Sequence, residues 1–297
     1  MQAERTKVAG GESPGHVVDP TLAVISVSYH SQVALRELVE SIAAGSVLPA
    51  QTVIVNNAVD DTLDLPEFAG LMHVDPGANL GYGGGVNAGV RALDPAIEWV
   101  LVTNPDVTLE SHALESLLDA GRAEPTAGEL GPRILETTGE VYPSARELPS
   151  LRTGIGHALF ANAWTANPWT RRYRGENRVT TDVWRESGWL SGSCFLVRRS
   201  AFDSIGGFDD SYFMYFEDVD LGARLSAAGW RNLYVPGAVV THSGAHSTSG
   251  SAASMRAEHH RSAYLYLSRK YSAPYLWPLR AGLRVALAVR ARFTSRG

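Results

Sequence analysis

Short apolar runs alternate with helical segments along the first third of the chain. Three runs, at 22–29, 51–55 and 98–103, are apolar enough to predict buried β-strands. The segments at about 32–44 and 84–93 are predicted to be helices. Strands and helices that alternate at this spacing predict an α/β fold with a mainly parallel sheet.

The rest of the chain is less regular. Residues 1–20 are polar and rich in Gly and Pro, which predicts a disordered tail. An irregular stretch at about 140–187 is rich in Trp, Pro and Arg. From residue 253 to 297 the pattern is helical again, with breaks expected near Pro274 and Pro278.

Composition narrows the classes of function. The net charge of −5 argues against nucleic acid as a partner, because phosphate binding needs a basic face. Cys194 is the single cysteine, which excludes an internal disulfide and fits a reducing compartment. We expect no signal peptide and no membrane span, since the first residues are polar and no apolar run reaches about 18 residues. These features predict a cytoplasmic protein, soluble or bound at a membrane surface.

Polar and glycine-rich loops follow the predicted strands at 29–31, 56–58, 79–87 and 104–106. In open α/β sheets, ligands bind at the carboxyl ends of the strands. The segment Asn104-Pro105-Asp106 directly follows an apolar run, and the carboxylate of Asp106 there could bind a divalent cation that bridges two phosphates. The structural alternative for Asp106 is a turn or a helix cap.

Three further features could carry chemistry. The glycines of 81–85, expected to form a flexible segment ahead of a helix, would let backbone N–H groups approach a diphosphate, although a plain turn is as good an explanation. Glu217, Asp218 and Asp220 crowd three carboxylates into four residues, which indicates a cation, an arginine or a proton-transfer task, or else helix capping. His242 follows a short predicted strand and a Pro–Gly turn, where a single His is more often structural than ligating.

Taken in order, these segments resemble glycosyltransferase family 2. The segments that carry the resemblance are 27–30, 55–58, 79–87, 104–106, 188–194, 206–209, 215–221 and His242. The resemblance implies a GT-A fold, which is a Rossmann-like nucleotide-binding sheet, followed by C-terminal helices. It also implies that residues 21–130 form the nucleotide-sugar-binding half and residues 131–252 the acceptor and catalytic half of one domain.

The family's functional positions map onto this chain. Asp218 matches the catalytic base, and Asp106 and His242 match the ligands of a divalent metal, Mg²⁺ or Mn²⁺. The positions that match donor-binding residues are Tyr29, Asn56, Asn57, Asn79, Gly81, Asn104 and Asp106. The positions beside the transferred sugar and the acceptor are Trp189, Ser191, Gly192 and Glu217. Asn56 and Asn104 stand where the family usually has Asp, and a carboxamide oxygen can still accept a hydrogen bond or bind a hard cation.

Four segments, at 142–146, 167–170, 188–194 and 245–248, look like those of actinobacterial rhamnosyltransferases. Those enzymes transfer L-rhamnose from dTDP-L-rhamnose to N-acetylglucosaminyl-diphospho-polyprenol, in synthesis of the arabinogalactan linker of the cell wall. The resemblance implies the same donor and acceptor here, and a single displacement with inversion.

Three alternatives remain open. The chain could be a family 2 enzyme that uses another UDP- or dTDP-linked sugar for a different surface polysaccharide. A nucleotidyltransferase would also use a Gly-rich loop and carboxylates, but it would normally have a basic residue in its first loop, and 29–32 lacks a Lys or Arg. A non-catalytic nucleotide-sugar-binding protein would lack the acidic base.

The C-terminal stretch has an asymmetric charge. Every Asp, Glu, Lys or Arg after Glu258 is basic, and tyrosines and a tryptophan alternate with aliphatic residues there. Aromatic and basic residues together favour a lipid headgroup layer, which predicts peripheral binding to the inner face of the cell membrane. The alternatives are packing on the catalytic domain or a homodimer interface.

Overall fold

The computed structural model describes residues 16–65, 68–150, 183–244 and 252–294. Its strands are β1 Val17–Ser28, β2 Val47–Asn56, β3 Leu71–Val74, β4 Trp99–Thr103, β5 Val107–Leu109, β6 Ala127–Leu135, β7 Val141–Tyr142, β8 Ala145–Arg146, β9 Arg185–Ser187, β10 Trp189–Leu190, β11 Cys194–Arg198 and β12 Arg231–His242. Its helices are α1 Gln32–Ala43, α2 Gly81–Arg91, α3 Ala113–Ala123, α4 Arg199–Ser204, α5 Glu217–Ala227, α6 Ala252–Lys270 and α7 Trp277–Thr294, with a 3-10 turn at Pro274–Leu276.

The main sheet has the strand order β3-β2-β1-β4-β11-β6-β12-β5, with β7 paired to β6 and β9 paired to β12. The first four strands in this order are parallel, which confirms the parallel sheet predicted from the alternation of strands and helices. β11 runs antiparallel to β4 and β6, and β5 runs antiparallel to β12. A second, two-stranded sheet pairs β8 with β10.

Both faces of the main sheet are buried, because helices cover each of them. Leu22 and Val24 of β1 pack with α1 and α3 on one face. Ala23 and Ile25 pack with α2 and α5 on the other face. Alternate side chains of a strand point to opposite faces, so a strand covered on both sides is mostly apolar. The buried Cys194 belongs to the first of these clusters.

The glycine-rich segment differs from its prediction. Gly81 begins α2 itself, so the segment is helical rather than a flexible loop ahead of a helix. A Cβ at Gly89 would stand 2.9 Å from Cγ2 of Ile25, and one at Gly85 would stand 2.8 Å from Cγ1 of Val27. The glycines therefore allow α2 to pack closely against β1, and this packing outweighs the low helix propensity of glycine.

Two strands are longer than predicted. β1 begins at Val17, which pairs with Val47, so the end of the predicted tail is part of the sheet. β12 continues through the Pro–Gly pair to His242, because a register shift between Val235 and Val239 accommodates the proline. His242 is therefore the last residue of a strand rather than a residue beyond a turn.

The C-terminal helices break at 271–276, close to the predicted position. Pro278 does not break a helix; it lies in the first turn of α7, where proline removes no helical hydrogen bond. Among the described residues, no helix combines the length and the apolar character that crossing a membrane requires. The resembling segments at 167–170 and 245–248, the irregular stretch within 151–182 and residues 1–15 lie outside the described residues. The division of the domain at residues 130 and 131 stays a prediction.

Candidate active site

Asp106, His242 and Asn104 meet where β4, β5 and β12 come together. Asp106 lies in the turn between β4 and β5, and His242 pairs with Val107 across the sheet. Nε2 of His242 is 3.1 Å from Oδ1 of Asp106 and 3.4 Å from Nδ2 of Asn104. The Asp106 side chain is 3% exposed and that of His242 is 23% exposed. The sheet therefore brings His242 to Asn104 and Asp106, which lie 138 and 136 positions earlier in the sequence.

These three side chains suit a hard divalent cation. Nε2 of His242 cannot donate to Asp106 and also accept from the Asn104 amide with one tautomer. A cation between them would take a nitrogen lone pair, a carboxylate oxygen and, after rotation of the amide, a carboxamide oxygen. The described residues contain no group of three or more His, Cys, Asp or Glu side chains suited to a metal. The ligand set would therefore be completed by Asn104 and by phosphate oxygens or water.

The acidic cluster at the start of α5 divides into different roles. Oδ2 of Asp218 accepts a hydrogen bond from the backbone N–H of Gly192 at 3.0 Å. Asp220 instead pairs with Arg224 at 2.6 Å, one helical turn along. Glu217 is buried, and its Oε2 has no hydrogen-bond partner among the described residues. The carboxylates do more than cap the helix: Oδ1 of Asp218 accepts from the first-turn N–H of Val219 at 2.8 Å, but its Oδ2 binds Gly192 outside the helix.

Burial separates the protonation of the two adjacent acids. It raises the pKa of Glu217 to about 8, with the charge of Asp218 adding to the rise. Burial also raises the pKa of Asp218, but the N–H groups of Gly192 and Val219 and the charge of Arg146 oppose the rise. Near neutral pH Glu217 therefore holds a proton, while the hydrogen bonds to Asp218 and the charge of Arg146 favour the ionised form of Asp218. Such a pair supplies one carboxylate able to accept a proton.

The segment 191–193 joins the acidic cluster at the start of α5 to the group of Asn104, Asp106 and His242. Gly192 binds Asp218 through its N–H, and its carbonyl accepts a hydrogen bond from the hydroxyl of Tyr82 on α2. The next carbonyl, of Ser193, accepts from the backbone N–H of Asn104 at 2.8 Å. The hydroxyls of Ser191 and Ser193 bond to each other at 2.8 Å. The two clusters therefore belong to one site.

Three of the predicted donor-binding residues, Tyr29, Asn56 and Asn57, lie at the carboxyl ends of β1 and β2, and β1 neighbours β4 in the sheet. Tyr29 is 48% exposed at the end of β1. The other side chains of this group are engaged within the protein. Asn56 donates to Asp61 and accepts from Ala58, while Asn57 donates to the carbonyl of Gly81.

Asn79 completes this group, because its Oδ1 accepts from the N–H of Gly81. Asn57 and Asn79 thus hold the start of α2 in place, where φ of Gly81 is +73°. A Cβ at Gly81 would stand 2.1 Å from the carbonyl oxygen of Phe213, so only glycine fits there. The asparagines bring the glycine-rich helix start to the same edge of the sheet as Tyr29. Their role in donor binding stays a prediction.

Two ionisable residues near the acidic cluster, Glu129 and Arg146, were not predicted as part of the site. Glu129 on β6 is fully buried, neither of its carboxylate oxygens has a hydrogen-bond partner among the described residues, and burial raises its pKa well above the usual range. A single acid inside an apolar run was the available signal. Arg146 stacks over the ring of Trp189 and acts electrostatically on Asp218. Arg146 lies in the segment 142–146, which resembles those of rhamnosyltransferases, but no pattern in that segment indicated a function for this residue.

Comparison with known proteins decides the family. Residues 20–264 match the family described as "Glycosyltransferase like family 2". The chain belongs to glycosyltransferase family 2. This family 2 chain is 42% identical over 287 residues to the N-acetylglucosaminyl-diphospho-decaprenol L-rhamnosyltransferase of Mycobacterium tuberculosis H37Rv, with 93% of each chain covered. It is 27% identical to the rhamnosyltransferase WbbL of Escherichia coli K12, covering 83% of this chain and 92% of WbbL.

Solved structures show the same fold for the family 2 chain. A mannosyltransferase from Pyrobaculum calidifontis, in complex with GDP-Man and Mn²⁺, has a TM-score of 0.55 at 15% identity and covers 94% of this chain and 72% of its own. The structure of GalNAc-T7 with UDP, GalNAc and Mn²⁺ has a TM-score of 0.56 at 14% identity and covers 91% and 54%. The predicted GT-A fold is confirmed by these neighbours.

Proposed function

We propose that this chain is an inverting glycosyltransferase that transfers L-rhamnose from dTDP-L-rhamnose to N-acetylglucosaminyl-diphospho-polyprenol. The observation that carries the proposal is the link from Asp218 to Asn104 through residues 192 and 193. It joins a proton-accepting carboxylate to a cluster suited to a cation. The transfer of L-rhamnose to this acceptor is supported by 42% identity to the mycobacterial rhamnosyltransferase over 93% of both chains, and dTDP as the donor nucleotide is part of the proposal.

In the proposed reaction, one group of residues accepts the proton and another holds the cation. Asp218 accepts the proton of the acceptor hydroxyl as that oxygen attacks the anomeric carbon, and the bond from this carbon to the donor diphosphate breaks. The N–H of Gly192 fixes the direction of the carboxylate. Asn104, Asp106 and His242 would hold a divalent cation, which when bound neutralises the charge that grows on the departing diphosphate. No enzyme nucleophile is required.

The donor is tested first by binding. With Mn²⁺ present, dTDP-L-rhamnose is expected to raise the melting temperature more than UDP-glucose, UDP-N-acetylglucosamine or GDP-mannose, because a ligand that binds only the folded state stabilises it. Mass spectrometry of the product made from a synthetic N-acetylglucosaminyl-diphospho-lipid should then show the addition of one deoxyhexose. Greater stabilisation by a UDP- or GDP-sugar, with transfer of that sugar, would contradict the proposed donor.

We further propose that the C-terminal helices bind the inner face of the cell membrane. Tyr275 is 80% exposed and Trp277 is 65% exposed, next to the exposed Leu279 at the start of α7. No Asp or Glu follows Glu258 to oppose an anionic surface. Each basic residue near such a surface contributes on the order of 1 kcal/mol. An acceptor on a polyprenyl chain would have to be reached at the membrane.

Binding to vesicles tests this docking. The double variant Tyr275→Ser, Trp277→Ser is expected to lose most of its co-sedimentation with anionic phosphatidylglycerol vesicles, since it removes the exposed aromatic anchors without touching the core. Val33→Ser removes an apolar side chain of similar exposure on α1 and should change nothing. Equal binding by all three proteins would assign these helices another role, and self-association lost in the double variant would identify them as a dimer interface.

A further inference from the structure

Arg146 is fixed close to the acidic cluster by a small sheet. It ends β8, and in the antiparallel pairing of β8 with β10 it lies opposite Trp189. Gly192, whose N–H binds the carboxylate of Asp218, follows the end of β10 after one intervening residue. Arg146 is thus placed by the same strand pair that positions the proposed base, although the two residues are 72 positions apart in the sequence.

Among the residues that the structure describes, the guanidinium of Arg146 is held without a carboxylate partner. Its Cζ lies 5.3 Å from the ring centre of Tyr142 and 5.4 Å from that of Trp189. Its Nε donates to the carbonyl of Pro143 at 2.6 Å. Within the described part of the chain, neither terminal nitrogen makes a hydrogen bond or an ion pair with an acid. Stacking on aromatic rings and one backbone bond fix the plane of the group and leave its outer N–H groups for a ligand.

We propose that Arg146 binds the diphosphate of the lipid-linked acceptor. The planar fork of a guanidinium matches two phosphate oxygens. The acceptor must present a sugar hydroxyl to Asp218, and its diphosphate then lies about one sugar ring away, within reach of a residue whose charge already acts on Asp218. The donor diphosphate faces the separate cluster of Asp106 and His242. This assignment rests on the proposed function, and it names the residue that recognises the anionic part of the acceptor.

The charge of Arg146 is tested with two acceptors. One is an N-acetylglucosaminyl-diphospho-lipid and the other is the uncharged octyl N-acetylglucosaminide. Arg146→Met is expected to raise KM for the diphosphate acceptor roughly 10- to 100-fold, the loss of one charge-assisted bidentate contact. KM for the uncharged acceptor and the dissociation constant of the donor should stay within about threefold of wild type. Arg146→Lys keeps the charge without the fork, so it should restore part of the loss.

A matched control separates binding from support of β8. Arg185 also stacks on a ring, that of Tyr234, and donates to the carbonyl of Ala145 in β8. Arg185→Met therefore disturbs the same strand without removing the charge of Arg146, and it should affect both acceptors equally. A wild-type enzyme that prefers the uncharged acceptor would overturn the proposed function itself, before any variant is measured.

Three results would overturn the assignment of Arg146. An equal loss with both acceptors in Arg146→Met would reduce it to a structural residue. A large fall in donor affinity would assign it to the donor. A shift of the acid limb of the pH–rate profile, with KM unchanged for both acceptors, would show that Arg146 acts only on the pKa of Asp218.

Discussion

Asp218→Asn is expected to lower kcat about 10²–10⁴-fold while donor affinity stays close to that of wild type, because a general base contributes about this factor. The asparagine keeps the size of the side chain, and its carboxamide oxygen can still accept the hydrogen bond from Gly192. What it loses is the capacity to take a proton. Steady-state kinetics with a fixed acceptor, together with donor titration by calorimetry, measure the two quantities separately.

The neighbouring acids are the matched controls for this substitution. Glu217→Gln should reduce kcat much less, since the raised pKa of about 8 leaves Glu217 protonated at neutral pH. Asp220→Asn should act mainly on stability, because Asp220 pairs with Arg224. If Asp218→Asn kept most of its turnover while either control lost it, the base would be that other carboxylate.

The same assignment fixes the sign of the pH dependence. A base works when it is deprotonated, so the rate should fall as the pH falls through the raised pKa of Asp218. For stability the sign is set by Glu217, whose folded-state pKa lies above that of an unfolded Glu. Its contribution is complete below the ordinary pKa and is lost as the pH rises through about 8. Glu217→Gln should therefore lose less stability than wild type between pH 5 and pH 9.

Sequence patterns predicted β1, β2 and β4 because these strands are largely buried on both faces, but β3, β5, β6 and α3 were not predicted. The runs near 22–29 and 98–103 are mostly apolar, and the structure forms strands over 17–28 and 99–103. The prediction that the glycine-rich segment is a flexible loop was wrong for a physical reason. The segment is helical because α2 packs closely against β1, and this tertiary contact is not reflected in the helix propensities of the residues.

The residues of the site were predicted from the sequence, but the different roles of the three neighbouring carboxylates were not. Three carboxylates at the start of α5 were visible in the sequence. The separate environments of Asp218 and Asp220 depend on Gly192 and Arg224, and the first of these contacts crosses 26 positions of the chain. The buried Glu129 gave only one weak signal, an acid in an apolar run, because burial is a property of the assembled sheet.

Asp106→Ala and His242→Ala are each expected to weaken the Mn²⁺-dependent part of donor binding, by about 10-fold or more for Asp106, and EDTA should reproduce the effect. Asp106 should matter more than His242, because its carboxylate is nearly buried and carries the negative charge of the cluster. Calorimetric titration of Mn²⁺ with dTDP present measures this affinity without relying on turnover.

Two further variants sharpen the metal test. His112→Ala breaks a His–carboxylate pair of similar length, 2.8 Å to Glu115, on the exposed start of α3, and it should leave Mn²⁺ affinity unchanged. Asn104→Asp adds a negative charge beside His242, so it should strengthen Mn²⁺ binding where the alanine variants weaken it. The opposite changes at neighbouring positions would be hard to obtain from misfolding. Full activity in chelator, with no metal left by elemental analysis, would remove the cation from the reaction and leave Asp106 and His242 as a hydrogen-bonded pair that holds β12 to the turn before β5.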